Sequence, residues 1–486
     1  MTIKDLKPEL IWGIFDQITQ IPRPSKKEEK IRQYLIDFAK EHNIAVKTDE
    51  VGNVVMSKPA TPGKENAPTV ILQGHMDMVC ESNNKNFDFD NNPITTIIDG
   101  DWVHADGTTL GADNGIGMAA SLAVMADNSL VHGPVEALFT VDEETGMTGA
   151  NNLGSDMMNG TILLNLDSED DGEIFIGCAG GVDTTITFDY KREMAPAGNH
   201  WFRIELSNLS GGHSGGDIHE GRANSNKLLA RFLFNLSLNH VLTLSEISGG
   251  NLRNAIPRAA HAIFGVSSES KEKVMVAFNQ YVADVEKEYA HTDPDMTITI
   301  ESVEKPEYAI DSDTAERLIK SLYACPHGVI SMSHDLEGLV ETSTNLAAVK
   351  MQDNSTILVT TSQRSSVESR KWDIARQIEA LFLIAGAHVT HGDGYPGWAP
   401  DMNSTIMKIA SEAYEELYNV KPAIKAIHAG LECGLFLTKY PHLDMVSFGP
   451  TLRGVHSPSE KMHIPAVEKF WNHLTLILKK VADLQK

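Results

Sequence analysis

Apolar and polar residues fall into two alternating patterns along the chain. Short apolar runs at residues 70–73, 135–141, 161–166 and 445–450 predict strands, and residues 53–56 predict a shorter one. Residues 8–42 predict two helices around the turn Ile21-Pro22-Arg23-Pro24-Ser25. In the second helix Ile31, Tyr34, Leu35 and Phe38 recur at helical spacing. Ser25 is expected to cap it, with Glu28 in the capping-box position. A Gly-rich turn at 107–115 opens an apolar helix over 116–125, and a last helix closes the chain.

Near residues 177–181 the pattern changes. Strands predicted at 184–188, 201–206, 296–301 and 357–361 now alternate with amphipathic helices over 224–236, 271–289, 315–324 and 372–385. This predicts an α+β domain at 183–390, inserted into an α/β domain made of residues 1–182 and 391–486. The Gly/Pro stretch at 392–398 marks the return to the first domain.

Composition narrows the function classes. The 486 residues suffice for about two to four domains, each able to bury a core. Lys and Arg number 41 against 66 Asp and Glu, a net charge of −25. That argues against nucleic acid and anionic membrane surfaces as partners. Cys80, Cys178, Cys325 and Cys433 form no CxxC pair, which fits a reducing compartment better than a disulfide framework. The first residues lack the apolar core of a signal peptide, and no run approaches the roughly 18 to 20 apolar residues of a membrane span. A soluble, cytoplasmic protein is expected.

Candidate chemistry gathers where the predicted strands end. His75 and Asp77 follow the first, and residues two apart on a strand point the same way. A carboxylate behind a histidine fixes its tautomer, a common arrangement in metal sites. Alone, the pair is a weak signal, and a satisfied hydrogen bond at a strand end is the plainer reading. The second strand runs into Asp142-Glu143-Glu144, whose carboxylates are either solvated or gathered by a cation. The third ends on Asp167. Asp113, near a helix start, is a cap or a ligand on local grounds. The Gly-rich turn beside it has neither GxxxxGK[ST] nor GxGxxG, so it does not point to a nucleotide.

The ordered set His75-x-Asp77, Asp113-Asn114, Glu143-Glu144, Asp167 and His456 resembles the co-catalytic zinc peptidases of the carboxypeptidase-G2/aminoacylase/carnosinase superfamily. The blocks Gly107–Gly115, Gly211-Gly212-His213-Ser214-Gly215-Gly216, Asn254-Ala255-Ile256-Pro257-Arg258 and His428-Ala429-Gly430-Leu431-Glu432-Cys433-Gly434 extend the resemblance to its dipeptidases, end to end. The resemblance implies a catalytic domain with a central mixed sheet flanked by helices, and an inserted lid that carries a homodimer contact. It implies two Zn²⁺ per chain, with Mn²⁺ or Co²⁺ as substitutes. His75 and Asp167 would hold one ion, Glu144 and His456 the other, and Asp113 would bridge them. Those carboxylates and one hydroxide would balance the charge of the two ions. Glu143 would be the general base and Asp77 would orient His75. A cis peptide is implied at Asp113-Asn114.

In the lid, a histidine from the partner subunit would reach the scissile carbonyl oxygen. His213 and His219 are both candidates, and the later one, His219, aligns with that role. Asn254 and Arg364 match substrate-contacting positions, and a guanidinium can bind a carboxylate bidentately. Gly430 lies where relatives hold the substrate's C-terminal carboxylate. The implied activity is hydrolysis of unblocked dipeptides, Xaa-His included. An N-acyl or N-carbamoyl amino-acid amidohydrolase on the same site is the rival enzyme. A silent binding protein would need a lost ligand or base, and the sequence retains them all.

Overall fold

A computed structural model describes residues 2–353 and 355–484. The chain divides into two compact units. One comprises residues 1–178, 398–426 and 431–486, and the other residues 179–397 and 427–430. The boundaries expected after 182 and 390 lie a few residues from these, and the short return of 427–430 to the second unit has no sequence signal.

The first unit is built on an eight-stranded mixed sheet. Its strand order is Ala45–Thr48, Val54–Lys58, Val135–Thr140, Val70–His75, Ile162–Asn165, Asp444–Ser447, Glu173–Cys178 and Ala423–Ile427. Val70–His75 lies at the middle, parallel to both neighbours, with His75 opposite Thr140 and Gln73 opposite Asn165. All six of its residues are buried, which explains an apolar run without alternation. Because the three central strands are parallel, their carboxyl ends meet at one rim, where open α/β sheets place their sites.

Helices cover the sheet. The Ala112–Ala126 helix is buried nearly all round, as expected of a helix inside a core, and Glu9–Thr19 packs against it. Gly115 permits that approach, since a Cβ there would sit 3.1 Å from the Phe15 ring. A small four-stranded sheet pairs Leu452–Arg453 with Lys461–His463, and Lys461–His463 with Trp102–Ala105. This sheet brings the 454–460 loop to the Gly-rich turn.

One local expectation is overturned. Ser25 does not cap the second helix, which begins at Glu29 with no side-chain cap bond. The Ser25 hydroxyl donates to Asp77 Oδ2 at 2.7 Å, and Glu28 Oε1 accepts the N–H of Lys26 and of Asp142. The capping signature was present, but distant partners took both side chains.

The second unit carries a nine-stranded antiparallel sheet. Eight strands run in the order Thr297–Val303, Asn199–Ser207, Ala260–Ser267, Thr243–Gly249, Val340–Gln352, Thr356–Ser365, Gly180–Asp189 and His388–His391, and Gly328–Met332 pairs with Val340–Gln352. Phe202, Phe232, Phe264, Phe278 and Phe382 fill the core between this sheet and its helices. No described helix is long and apolar enough to cross a membrane.

Candidate metal centre

His75, the last residue of the central strand, is 1% exposed. Its Nε2 lies 3.0 Å from Asp113 Oδ1 and 3.3 Å from Asp167 Oδ1. Asp113 Oδ2 lies 3.1 Å from His456 Nε2, which is itself 3.1 Å from Glu144 Oε2. The two oxygens of Asp113 therefore face two different histidines. Three strand-end segments supply His75, Glu144 and Asp167, the start of the Ala112–Ala126 helix supplies Asp113, and the 454–460 loop supplies His456.

Backbone geometry at Asp113 serves this arrangement. Asp113 and Asn114 have non-helical φ/ψ inside the helix span, and the peptide between them is cis. The Asp113 carboxylate is turned to His75 and His456. Asn114 Nδ2 donates to the Leu166 carbonyl at 2.7 Å and so ties this turn to the Asp167 segment.

Asp77 is fully buried behind the cluster. Its Oδ1 is 3.3 Å from His75 Nδ1 and accepts the Glu143 N–H at 3.0 Å. Its Oδ2 accepts the Glu144 N–H at 3.2 Å and the Ser25 hydroxyl. Burial alone would raise this carboxyl, but His75 and the Ser25 and Glu143 donors outweigh it and hold it at about 2.

The crowding of charge is severe. Burial, reinforced by Asp113 and Glu144, pushes Asp167 up to about 7 despite His75. Hydrogen bonds to Asp113 and Glu144 push His456 up to about 11. Burial opposes charge on His75, yet the Asp167, Asp113 and Asp77 carboxylates hold it well above its usual range. Glu143 also lies well above the carboxylate range, first through burial and then through Asp167, Glu432 and Glu144. Protonated imidazoles thus offset the carboxylates here, as bound cations would.

The donor set fits divalent cations. His75, Asp113 and Asp167 form one group whose ligand atoms lie within 4.8 Å of one another, and Asp113, Glu144 and His456 form a second. His75, Glu143 and Glu144 form a third, so distance alone admits Glu143 as a ligand too. Glu144 Oε1 is buried with no hydrogen-bond partner among the described residues, as suits a ligand oxygen.

The sequence blocks hold further buried charged residues beyond the candidate ligands. Glu460, buried at 2% exposure, accepts N–H bonds from Leu110, Gly111, Ala112 and Asp113. Glu432 Oε2 accepts from Gln73 Nε2 at 2.6 Å and from Thr140 Oγ1 at 2.9 Å. Burial pushes Glu432 up to about 7. Arg23, fully enclosed, donates to backbone carbonyls. Charged residues set among Pro, Ser and Gly were the available signal.

The second unit holds the other candidates. His213 Nδ1 accepts the N–H groups of Gly215 and Gly216 at 3.2 and 3.0 Å, so one ring nitrogen is already used in its own turn. His219, on a short 3₁₀ turn, is 47% exposed and 3.3 Å from Glu220. Asn254 is exposed, and its carbonyl accepts the Ser214 N–H. Arg364 is buried; its Nη1 donates to the Tyr395 hydroxyl at 2.9 Å, while its Nε has no hydrogen-bond partner among the described residues. Gly430 packs on the Tyr395 ring, which a Cβ would meet at 3.0 Å.

Known proteins resemble the whole chain. It is 45% identical over 480 residues to the Cytosol non-specific dipeptidase of Escherichia coli, covering 99% of each chain. The crystal structure of Aminoacylhistidine Dipeptidase from Vibrio alginolyticus superposes with a TM-score of 0.94 at 44% identity, covering 100% of this chain and 99% of that one. A tripeptidase from Staphylococcus aureus shares the fold, with a TM-score of 0.58 at 16% identity over 99% of this chain and 100% of that one. The sequence profile of Peptidase family M20/M25/M40 matches residues 71–480, which takes in every residue from His75 to His456 of the acidic cluster. On these matches, the chain belongs to Peptidase family M20/M25/M40.

Proposed function

We propose that this chain is a metal-dependent dipeptidase that hydrolyses unblocked dipeptides, Xaa-His dipeptides included. One observation carries the reading: Asp113 presents Oδ1 to His75 and Oδ2 to His456, the geometry of a carboxylate shared by two cations. The names of the Escherichia coli and Vibrio relatives support the substrate class, and the first supports a cytoplasmic setting.

In this reading His75, Asp113 and Asp167 would hold one divalent ion, and Asp113, Glu144 and His456 would hold the other. Imidazole with carboxylate suits Zn²⁺ and accepts Mn²⁺ or Co²⁺. When bound, such ions polarise the scissile carbonyl and bring the pKa of water toward neutrality. Asp77 faces His75 Nδ1 at 3.3 Å and so would leave Nε2 as the ligand atom. Glu143 accepts a proton from the attacking water and delivers it to the leaving amine nitrogen. Its backbone N–H, held by Asp77, fixes where that carboxylate starts.

The inserted unit contributes substrate contacts in this reading. Arg364 Nε, buried and with no hydrogen-bond partner among the described residues, suits the substrate carboxylate, and the Gly430 N–H is assigned the same role. Asn254 and His213 line the substrate. The protein acts as a homodimer through this unit, and the partner's His219 donates to the carbonyl oxygen as it gains negative charge. The family resemblance favours His219 for this donor; His213, whose Nδ1 accepts the N–H groups of its own turn, would keep an Nε2–H for its substrate contact.

The test is turnover of Xaa-His, Xaa-Leu, tripeptide and N-acyl substrates by protein reconstituted with Zn²⁺, Mn²⁺ or Co²⁺. Unblocked dipeptides are expected to be cleaved and N-acyl substrates spared. Preferential cleavage of N-acyl or N-carbamoyl amino acids would overturn the proposal.

A further inference from the structure

Two buried charged residues outside the acidic cluster converge on one peptide group. Glu460 Oε2 accepts the N–H of Leu110 at 2.7 Å and of Gly111 at 2.9 Å. Its Oε1 accepts the N–H of Ala112 at 2.8 Å and of Asp113 at 3.3 Å. From the other side, Arg23 Nη2 donates to the Gly111 carbonyl. Arg23 Nη1 donates to the carbonyls of Met76 at 3.0 Å and Asp77 at 2.5 Å. The peptide group between Gly111 and Ala112 is thus held at its N–H by Glu460 and at its carbonyl by Arg23.

We propose that Arg23 and Glu460 are positioning residues that grip the Gly111 turn from both sides and thereby set the Asp113 carboxylate between His75 and His456. The inference rests on the metal-centre reading given above. Three observations support it.

The grip ties the right elements together. Arg23 spans the end of the His75 strand and the turn that carries Asp113. Glu460 lies four residues beyond His456, so it joins that loop to the same turn. The backbone N–H of Asp113 is itself one of its four donors.

The local backbone has no room for a looser arrangement. Gly111 has φ +68°, and a Cβ there would sit 2.6 Å from Arg23 Nη2. A Cβ on Gly115 would sit 2.8 Å from the same nitrogen. Glycines on both sides admit the guanidinium.

The chemistry is costly for a purely structural device. Both side chains are 2% exposed. Apolar side chains of similar size often replace buried charges without loss of stability. What apolar packing cannot supply is directional, charge-assisted bonding to four consecutive N–H groups. A ligand that must face two ions needs placement within about 0.5 Å, and such bonding provides it.

The experiment titrates metal-free protein with Co²⁺, following the visible absorption band and the number of ions bound by dialysis. The parent is expected to bind two. If it binds none, the metal reading fails and the clamp loses its purpose with it. Glu460→Gln keeps the size but replaces one acceptor with a donor. It is expected to weaken Co²⁺ binding by about 10- to 100-fold and to alter the band, measured below its melting temperature. With the ions saturating, kcat should fall while KM stays near the parent value. A merely structural residue would lower the melting temperature and leave affinity and band alone. If Glu460→Gln binds two Co²⁺ with the parent's affinity and band, the clamp is overturned and the metal reading stands. Arg23→Lys keeps the charge, loses the planar fork and is read in the same titration. It serves as the deciding variant if Glu460→Gln does not fold, and parent-like Co²⁺ binding by it would overturn the clamp equally.

Discussion

The carboxylate of Asp77 accepts the backbone N–H of Glu143 at 3.0 Å while lying 3.3 Å from His75 Nδ1. One buried side chain thus aims a ligand of the proposed metal centre and anchors the turn that carries the proposed base. Sequence reasoning anticipated only the first of these tasks.

This double role makes a prediction for Asp77→Asn. With the amide oxygen in the place of Oδ1, the NH₂ group opposes the Glu144 N–H; turned over, it opposes both the Glu143 N–H and His75 Nδ1–H. Cation affinity should fall by about 10- to 100-fold through His75. Activity should stay depressed even with the metal saturating, because the Glu143 turn is also loosened. Affinity is read by titration of the metal-free protein and kcat at high metal. Full recovery of kcat at saturating metal would limit Asp77 to its contact with His75.

Glu143 and Glu144 are adjacent, yet the proposal gives them different work. Glu143→Gln should lower kcat by about 10²- to 10⁴-fold, the range for general acid–base groups, with both ions retained. Glu144→Gln should lose an ion. Metal analysis after dialysis, paired with single-turnover rates, separates the two. Loss of an ion from Glu143→Gln alone would exchange the roles, an outcome that the His75, Glu143 and Glu144 grouping makes geometrically open.

The central strands were legible because they are short apolar runs buried on both faces, and their ends carry ionisable residues. Val340–Gln352 was not legible. Its first ten residues are all buried, yet they include Glu341, Thr342, Ser343, Thr344 and Asn345, so neither an apolar run nor alternation marks it. Ser25 and Glu28 matched a local capping rule, but Asp77 and Asp142 lie 52 and 114 residues away in sequence. Glu460 meets its four N–H groups across 347 to 350 residues. Local pattern reports which residues can cap or ligate; partners so far apart are fixed only by the sheet that brings them together.

His473 gives a pH prediction away from the acidic cluster. It is 3% exposed, its Nε2 is 2.8 Å from the Ala410 carbonyl, and burial lowers it from 6.5 to about 4. Between those values the unfolded chain binds a proton that the folded chain refuses. The neutral ring's contribution is therefore complete above pH 6.5 and lost as pH falls toward 4. The loss is of order 3 kcal/mol, at about 1.4 kcal/mol per unit. Urea unfolding of the parent and of His473→Leu at pH 7.5 and pH 5 checks this. The variant should lose less stability on acidification than the parent does, and equal losses would assign the acid sensitivity to other groups.

The last prediction concerns subunits. The negative charge that develops on the carbonyl oxygen needs a donor, and removing a donor of this kind costs about 10² to 10³ in kcat. His219 is 47% exposed and lies 3.3 Å from the adjacent Glu220. If the partner's His219 serves each site, Glu143→Ala and His219→Ala homodimers should both be nearly inactive. Mixing them under conditions of subunit exchange creates hybrid dimers. In each hybrid, one site combines an intact Glu143 with the partner's intact His219. The other site lacks both. Activity should therefore rise on mixing, toward one working site per hybrid dimer. Exchange is verified independently with differently tagged chains. Absence of recovery with exchange proven would mean that His219 serves its own chain or takes no part. A parent protein that remains monomeric at working concentration, with full activity, would remove the in trans arrangement altogether.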